Sequence, residues 1–137
     1  MADLVYNRAK NNVTITDLRM LLLVGYTPDP DHATVDAVIA AATGECTFTN
    51  YARKALTGEA WAVDDVNDLG QLLADDPPVW ADAGGAVNNL VSHAVVFEYV
   101  DADDGNNLPV ACYEVDLTTN GGDLELNLTD GTVFATD

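Results

Sequence analysis

Hydrophobic and polar positions follow one rhythm early in this chain and another later. Leu18–Val24 is apolar throughout except at Arg19, and at seven residues it is the length of a strand. A buried strand is therefore predicted. Pro28, Asp29 and Pro30 end it. Val35, Val38, Ile39 and Ala42 then recur at i, i+3, i+4 and i+7, which places four apolar side chains on one stripe of a helix. Asp31 stands where a carboxylate can accept from the unbonded N–H groups of a first turn. Gly44 stands where a left-handed residue would close the last one. The pattern predicts one short helix over 31–42, and no second stretch carries comparable signals.

Beyond Cys46 the rhythm is that of strands. Segments 51–57, 69–74 and 79–83 are candidates, and the prolines of Asp75-Asp76-Pro77-Pro78 suit a turn between the last two. Asp82-Ala83-Gly84-Gly85 opens a loop that closes near Val91. The C-terminal stretch alternates most clearly. Val95, Phe97 and Tyr99 alternate with polar neighbours, as do Ala111, Tyr113, Val115 and Leu117, and then Leu124, Leu126 and Leu128. Asn120-Gly121 and Asp130-Gly131 fall between such runs and favour the primed turns of hairpins. Two-residue loops there would pair Leu117 with Leu124, Val115 with Leu126 and Tyr113 with Leu128, and then Leu128 with Val133 and Leu126 with Ala135. A four-stranded antiparallel meander over 95–135 is predicted, with Tyr113 and Leu126 nearly inaccessible. A slip onto Gly121-Gly122 would keep the faces and change the partners. The same register sets Asp116 opposite Glu125 with Glu114 nearby, which costs about 0.2–1 kcal/mol per like-charged pair. That outer face is either simply solvated or turned to a cation or basic partner.

The fold class expected is mainly β: a single-domain antiparallel β-sandwich or barrel-like fold with one short helix and an N-terminal arm. Residues 1–12 form the arm and 13–137 the β-rich domain. The arm is polar, carries Arg8 and Lys10, and shows no apolar period.

Charge narrows the function. Five Lys and Arg stand against 23 Asp and Glu, a formal net charge of −18. All five bases (Arg8, Lys10, Arg19, Arg53 and Lys54) precede position 55, and 17 of the 23 carboxylates follow it. Nucleic acid and anionic lipid both need a positive surface, so neither is an expected partner. No apolar run reaches the ~20 residues of a membrane helix. The start lacks the basic and apolar regions of a signal peptide, so a reducing cytoplasm is expected, with Cys46 and Cys112 as free thiols.

Chemistry is sparse. Ser92 is the only serine and His93 follows it. Strand neighbours point to opposite faces, so the pair is not expected to touch, and His93 is read as a core or boundary histidine. Asp101-Ala102-Asp103-Asp104-Gly105-Asn106-Asn107 carries the oxygen ligands of a calcium loop, but glycine falls at the fifth place and Cys112 occupies the twelfth, where a bidentate Glu belongs. Asp64, Asp65 and Asp68 form a looser cluster. No catalytic, cofactor or metal residue is assigned, and structural calcium is the one ion the acidic loop would suit.

Several motifs, in order, resemble a known family. They are Tyr6-Asn7-Arg8-Ala9-Lys10, Leu21-Leu22-Leu23-Val24, Tyr26-Thr27-Pro28-Asp29-Pro30-Asp31-His32, and Tyr51-Ala52-Arg53-Lys54-Ala55-Leu56-Thr57-Gly58. Asp64-Asp65-Val66-Asn67-Asp68 and Thr118-Thr119-Asn120-Gly121-Gly122-Asp123 complete the set. The chain resembles, almost end to end, small structural (capsid decoration, minor capsid or tail) proteins of tailed bacteriophages. The resemblance implies a virion protein without enzymatic activity, assembled in the host cytoplasm in multiple copies with self-association, its partner the major capsid protein. A tail or baseplate component is the alternative. An acidic surface-binding domain from a high-salt organism is a further one, because Asp outnumbers Glu by 18 to 5. The expected partner-binding residues are Leu4, Val5, Tyr6, Arg8, Lys10, Arg53 and Lys54, and removing 1–12 is expected to leave a folded domain.

Overall fold

A computed structural model describes residues 4–6, 17–56, 60–64, 69–73, 78–126 and 132–136. Its elements in chain order are β1 (Leu4–Val5), β2 (Leu18–Val24), α1 (Val35–Ala41), β3 (Gly44–Glu45), β4 (Lys54–Ala55), β5 (Ala60–Asp64) and β6 (Leu69–Leu73). They continue with β7 (Val79–Trp80), β8 (Leu90–Glu98), β9 (Leu108–Thr118), β10 (Leu124–Glu125) and β11 (Thr132–Thr136). The chain is mainly β, its strand pairs are antiparallel, and α1 is the single helix among the described residues.

The principal sheet runs β1–β9–β8–β2, and β3 and β4 share the outer edge of β2. The apolar run of β2, broken only at Arg19, follows from its place in the middle. Leu18, Met20 and Leu22 pack on one face with Ala94 and Val96 of β8, under Cys46, Phe48, Leu56, Trp80, Ala83 and Leu124. Leu21 and Leu23 pack on the other with Val95 and Phe97, under Tyr6, Tyr26, Val35 and Val38. Strands β2 and β8 are thus covered on both sides along Met20–Leu23 and Ala94–Phe97, where both side-chain sets are apolar. The 46–56 segment is tied over the first face by Trp80, whose indole N–H donates to the Ala52 carbonyl at 2.7 Å.

The helix is shorter than the pattern predicts. Its N-cap is Thr34, not Asp31: the Thr34 backbone is extended and its Oγ1 accepts from the Ala37 N–H at 3.2 Å. Asp31 lies earlier, in a turn where its own N–H donates to Asp29 Oδ1 at 2.9 Å. Gly44 does not end the helix. Ala42 does, donating its N–H to Ile39, while Gly44 pairs with Val24 as the first residue of β3.

The meander over 95–135 is corrected. Strands β8 and β9 do pair, but β10 leaves β9 and pairs with β7, setting Leu124 opposite Trp80 and Glu125 opposite Val79. Strand β11 pairs with β6, setting Ala135 opposite Gln71 instead of Leu126. The cause is at the expected turn. The Gly121 N–H donates to Ala83 O at 2.7 Å and the Ala83 N–H to Gly122 O at 2.9 Å, so 120–122 bonds to the 83–84 loop rather than closing on itself. Gly84 makes this docking close: at φ +88, a Cβ would meet Asn88 Oδ1 and, at 2.7 Å, Thr119 Oγ1. The Asp116–Glu125 opposition therefore does not exist. The inward faces survive in part: Leu124, Leu126, Tyr113 and Val115 pack on the first-face core, but Leu117, just past the bulge at Asp116, is exposed. Tyr113 and Leu126 are half-buried rather than inaccessible. Leu128, Asp130 and Gly131 lie outside the described residues, as do Asp65 and Asp68. Of the other predicted strands, 51–57 shrinks to β4 and 79–83 to β7, while 69–74 matches β6.

Residues 4–6 belong to the fold and not to a free arm. Leu4 and Val5 pair with Cys112 and Ala111, the Tyr6 N–H donates to Val110 O, and the Tyr6 side chain is fully buried.

Candidate functional site

Two polar clusters stand out. The first lies under α1 on the second face. The Tyr6 hydroxyl is 2.8 Å from the Tyr26 hydroxyl, which is 2.8 Å from His32 Nδ1. Burial, then the hydrogen bond with Tyr26, pushes the Tyr6 phenol far above its ordinary range, and burial likewise raises Tyr26. Both phenols are thus held in their neutral form near pH 7. The Tyr26 ring meets His93 edge-on, with centroids 5.7 Å apart. The Tyr26 N–H donates to Ser92 Oγ at 3.1 Å, and Ser92 Oγ donates to Leu23 O at 3.2 Å.

Ser92 and His93 do touch, contrary to the expectation from alternation. Ser92 Oγ lies 3.1 Å from His93 Nδ1. The register shifts here: between the pairs Val91–Leu117 and His93–Glu114, one residue of β8, Ser92, faces two of β9, Val115 and Asp116, and Asp116 takes φ 50. Such a bulge relaxes strict alternation and lets ring and hydroxyl turn together. The contact is local and through the ring nitrogen nearest the backbone. The hydroxyl already joins the Gly25 bend to β8 by accepting one backbone group and donating to another, which is a structural tie. Ser92→Ala is expected to cost about 1–2 kcal/mol, because it leaves the Tyr26 N–H and Leu23 carbonyl without this partner. Urea denaturation measures it. An unchanged midpoint would remove the structural role.

The second cluster joins the acidic loop to the opposite edge of the sheet. Arg53 donates to Glu45 through Nε and Nη2, both at 2.9 Å, and to Asp104 through Nη1 and Nη2, both at 2.8 Å. Both carboxylates are gripped through two oxygens, the geometry a planar guanidinium favours. Tyr51 donates its hydroxyl to Glu45 Oε2 and accepts the Leu22 N–H. Asn107 donates to Asp104 Oδ1, and the Arg53 guanidinium lies 5.3 Å from the Phe97 ring centroid. The Arg53 hydrogen bonds hold the Asp104 carboxyl below the usual carboxylate range. Burial, then Glu45, pushes the Tyr51 phenol up.

The other carboxylates of the calcium-like loop fold onto their own chain. Asp101 accepts the Asp103 N–H and the Asn106 side-chain amide, and Asp103 accepts the Gly105 N–H. Among the described residues no three His, Cys, Asp or Glu side chains converge as metal ligands would. A hollow of about 350 Å³ lies beside this loop, lined by Thr34, Glu98, Val100 and Asn107 among others. Cys46 and Cys112 are not joined in a disulfide and are buried on opposite faces of the sheet. Burial pushes the Cys46 thiol up to about 12, so it stays protonated.

The residues expected to bind a partner separate accordingly. Leu4 and Val5 form β1 and Tyr6 is core. Arg53 is the centre of an internal network. Lys54 is half-buried in β4, and Arg8 and Lys10 lie outside the described residues. Sequence reasoning missed Glu45, Tyr51, Tyr26 and His32 as network members. No spacing rule links Arg53 to Asp104, 51 residues away.

The fold and these clusters define a mainly antiparallel β domain whose polar interior is organised by a tyrosine–histidine chain and one arginine hub. Comparison with protein-family models, with curated proteins and with solved structures gives no match for this chain. No helix among the described residues is long and apolar enough to cross a membrane.

Proposed function

We propose that the protein is a non-enzymatic structural component of a tailed-bacteriophage virion, a capsid decoration or minor capsid protein that binds the major capsid protein in many copies. The ordered resemblance along the chain supports this reading, and one structural observation carries it further: among the described residues the exposed charge is almost purely anionic. Arg53 is taken by Glu45 and Asp104, and Arg19 lies 3.5 Å over the Tyr99 ring with its Nε 3.5 Å from Asp17. Lys54 is then the only lysine or arginine among the described residues not held in this way, while Asp101, Asp103, Glu114, Asp116, Asp123 and Glu125 are exposed. A surface of one sign suits a domain that docks by a limited basic patch and keeps its neighbours apart by repulsion. Docking then falls to Arg8, Lys10 and Lys54, because Tyr6 and Arg53 serve the fold.

A tail or baseplate component is the second reading. The excess of Asp, 18 of 23 carboxylates, favours as a third an acidic surface-binding domain adapted to high salt. Quantitative mass spectrometry of density-purified particles tests all three. Presence in tail-less heads in proportion to the shell protein is the expected result. Recovery only in tails supports the second reading, and absence from particles overturns both virion readings.

A further inference from the structure

We propose that the edge of β9 and the Tyr26 socket beside it form a binding site for an extended strand bearing a tyrosine, and that the N-terminal strand of a second copy fills it by exchange. Three observations carry this.

The first is topological. Strand β1 lies at the far edge of the sheet, with β9 and β8 between it and β2, its successor in the chain. Consecutive strands usually neighbour one another. Here β1 is added to an edge formed by residues more than 100 positions away, as an extended peptide adds to an open sheet. Reaching β2 means crossing three strand spacings, about 14 Å. The 11 residues from 7 to 17 can span up to about 36–40 Å.

The second is the economy of the contact. Two ladder positions and the Tyr6 N–H bond to Val110 hold the backbone, and one side chain, Tyr6, supplies a fully buried anchor. The third is that the socket is specific. The Tyr6 ring enters the core of Val95, Phe97 and Cys112, and its hydroxyl meets the Tyr26 hydroxyl, itself held by His32. A tyrosine fits both halves of that site. Exchange uses identical contacts, so it carries no penalty in contact energy and is set by concentration. A strand tethered to its own body sees an effective concentration of order mM. Exchange should therefore appear when copies are crowded to that level. Repulsion between copies of charge −18 opposes it, and falls as the Debye length shrinks from about 10 Å at 0.1 M salt to about 3 Å at 1 M.

The test uses the full chain alone, so its outcome is separate from the virion reading. Leu4→Cys places a thiol opposite Cys112, its Cα partner. Isotopically labelled and unlabelled copies are mixed at about 1 mM in 1 M salt, oxidised, sized by light scattering, and mapped by mass spectrometry. The expected result is a dimer or larger species that grows with protein and salt, in which position 4 of one isotope is bonded to Cys112 of the other. A monomer at every concentration and salt, or an oligomer in which position 4 is bonded only within its own chain or not at all, overturns the proposal. Should that variant fail to fold, Val5→Cys with Ala111→Cys, opposite one another at the next rung, carries the same readout.

Discussion

Replacing Tyr6 by alanine is expected to remove about 3–5 kcal/mol of folding free energy, the range for deleting a fully buried aromatic ring. Small domains have only about 5–15 kcal/mol in total, so this variant should sit near the edge of folding. The side chain is inaccessible to solvent, packs among Leu21, Leu23, Val95 and Phe97, and its hydroxyl bonds to Tyr26. Tyr6→Phe keeps the ring and removes the hydroxyl. Its cost should be about 1–2 kcal/mol, reflecting a buried Tyr26 oxygen that loses one partner. Urea midpoints of the two variants separate the packing contribution from the hydrogen bond. Deleting residues 1–12 should behave like Tyr6→Ala or worse, the opposite of what a free arm would give. If Tyr6→Ala unfolds at the same urea concentration as the parent, Tyr6 is not a core residue.

Arg53→Met is the second large effect. Methionine keeps some of the stem packing near Phe97 but leaves Glu45 and Asp104 facing each other without the cation that holds both. Removing one member of a buried ion pair typically costs about 3–5 kcal/mol. These side chains retain roughly a fifth to a quarter of their exposure, so about 2–3 kcal/mol is expected here. The pH dependence gives the signature. Arg53 depresses the folded-state pKa of Asp104 below its unfolded value. The native state then binds fewer protons than the unfolded state, so this interaction is fully present above the unfolded pKa and is lost as pH falls through the folded one. The stability gap between parent and Arg53→Met should be widest near pH 7 and should shrink below about pH 4, the unfolded carboxylate range. Taking the difference cancels the general relief that acidification brings to so acidic a chain. A gap that stays constant from pH 7 to pH 3 would mean that the ion pairs contribute nothing and only packing was lost.

Which parts of this fold were legible in the sequence follows from what each pattern encodes. The run Leu18–Val24 reads as buried because both of its faces are covered, and that depends only on which residues are apolar. The helix is legible from its stripe, since Val35 and Val38 are buried as the 3.6-residue period requires. Its ends were less so. Asp31 and Thr34 are both good caps, and the choice turned on the Asp29 turn that holds residue 31 elsewhere. For Val115, Leu124 and Leu126, alternation gave the correct face and the wrong partner. Period two says which side chains point inward, and it is silent on which strand lies alongside. Asn120-Gly121 is a good hairpin turn in isolation, but here it is recruited by the Ala83 carbonyl and amide. That partner is set by tertiary docking, which local turn preference does not report.

The polar clusters were less visible still. Tyr26–His32 is a local contact but follows no repeating spacing. Tyr6–Tyr26 and Arg53–Asp104 exist only because β1 and the 101–107 loop are brought to the sheet from far along the chain. The Ser92–His93 contact was misjudged because a rule for regular strands was applied where β9 carries a bulge. The N-terminal segment was misread for a related reason. A two-residue strand with a single buried tyrosine is too short to show an apolar period, so a polar-looking stretch concealed a core anchor.

We propose above all that this acidic β domain is mounted on the outside of a viral shell through Arg8, Lys10 and Lys54. A cryo-EM reconstruction of intact particles tests it most directly. The expected result is density on the outer shell that fits the β1–β9–β8–β2 sheet, with the Lys54 edge toward the shell protein and the 101–107 loop toward solvent. Fully resolved shells that carry no such density, or density in which that acidic loop is pressed against the shell, would contradict it.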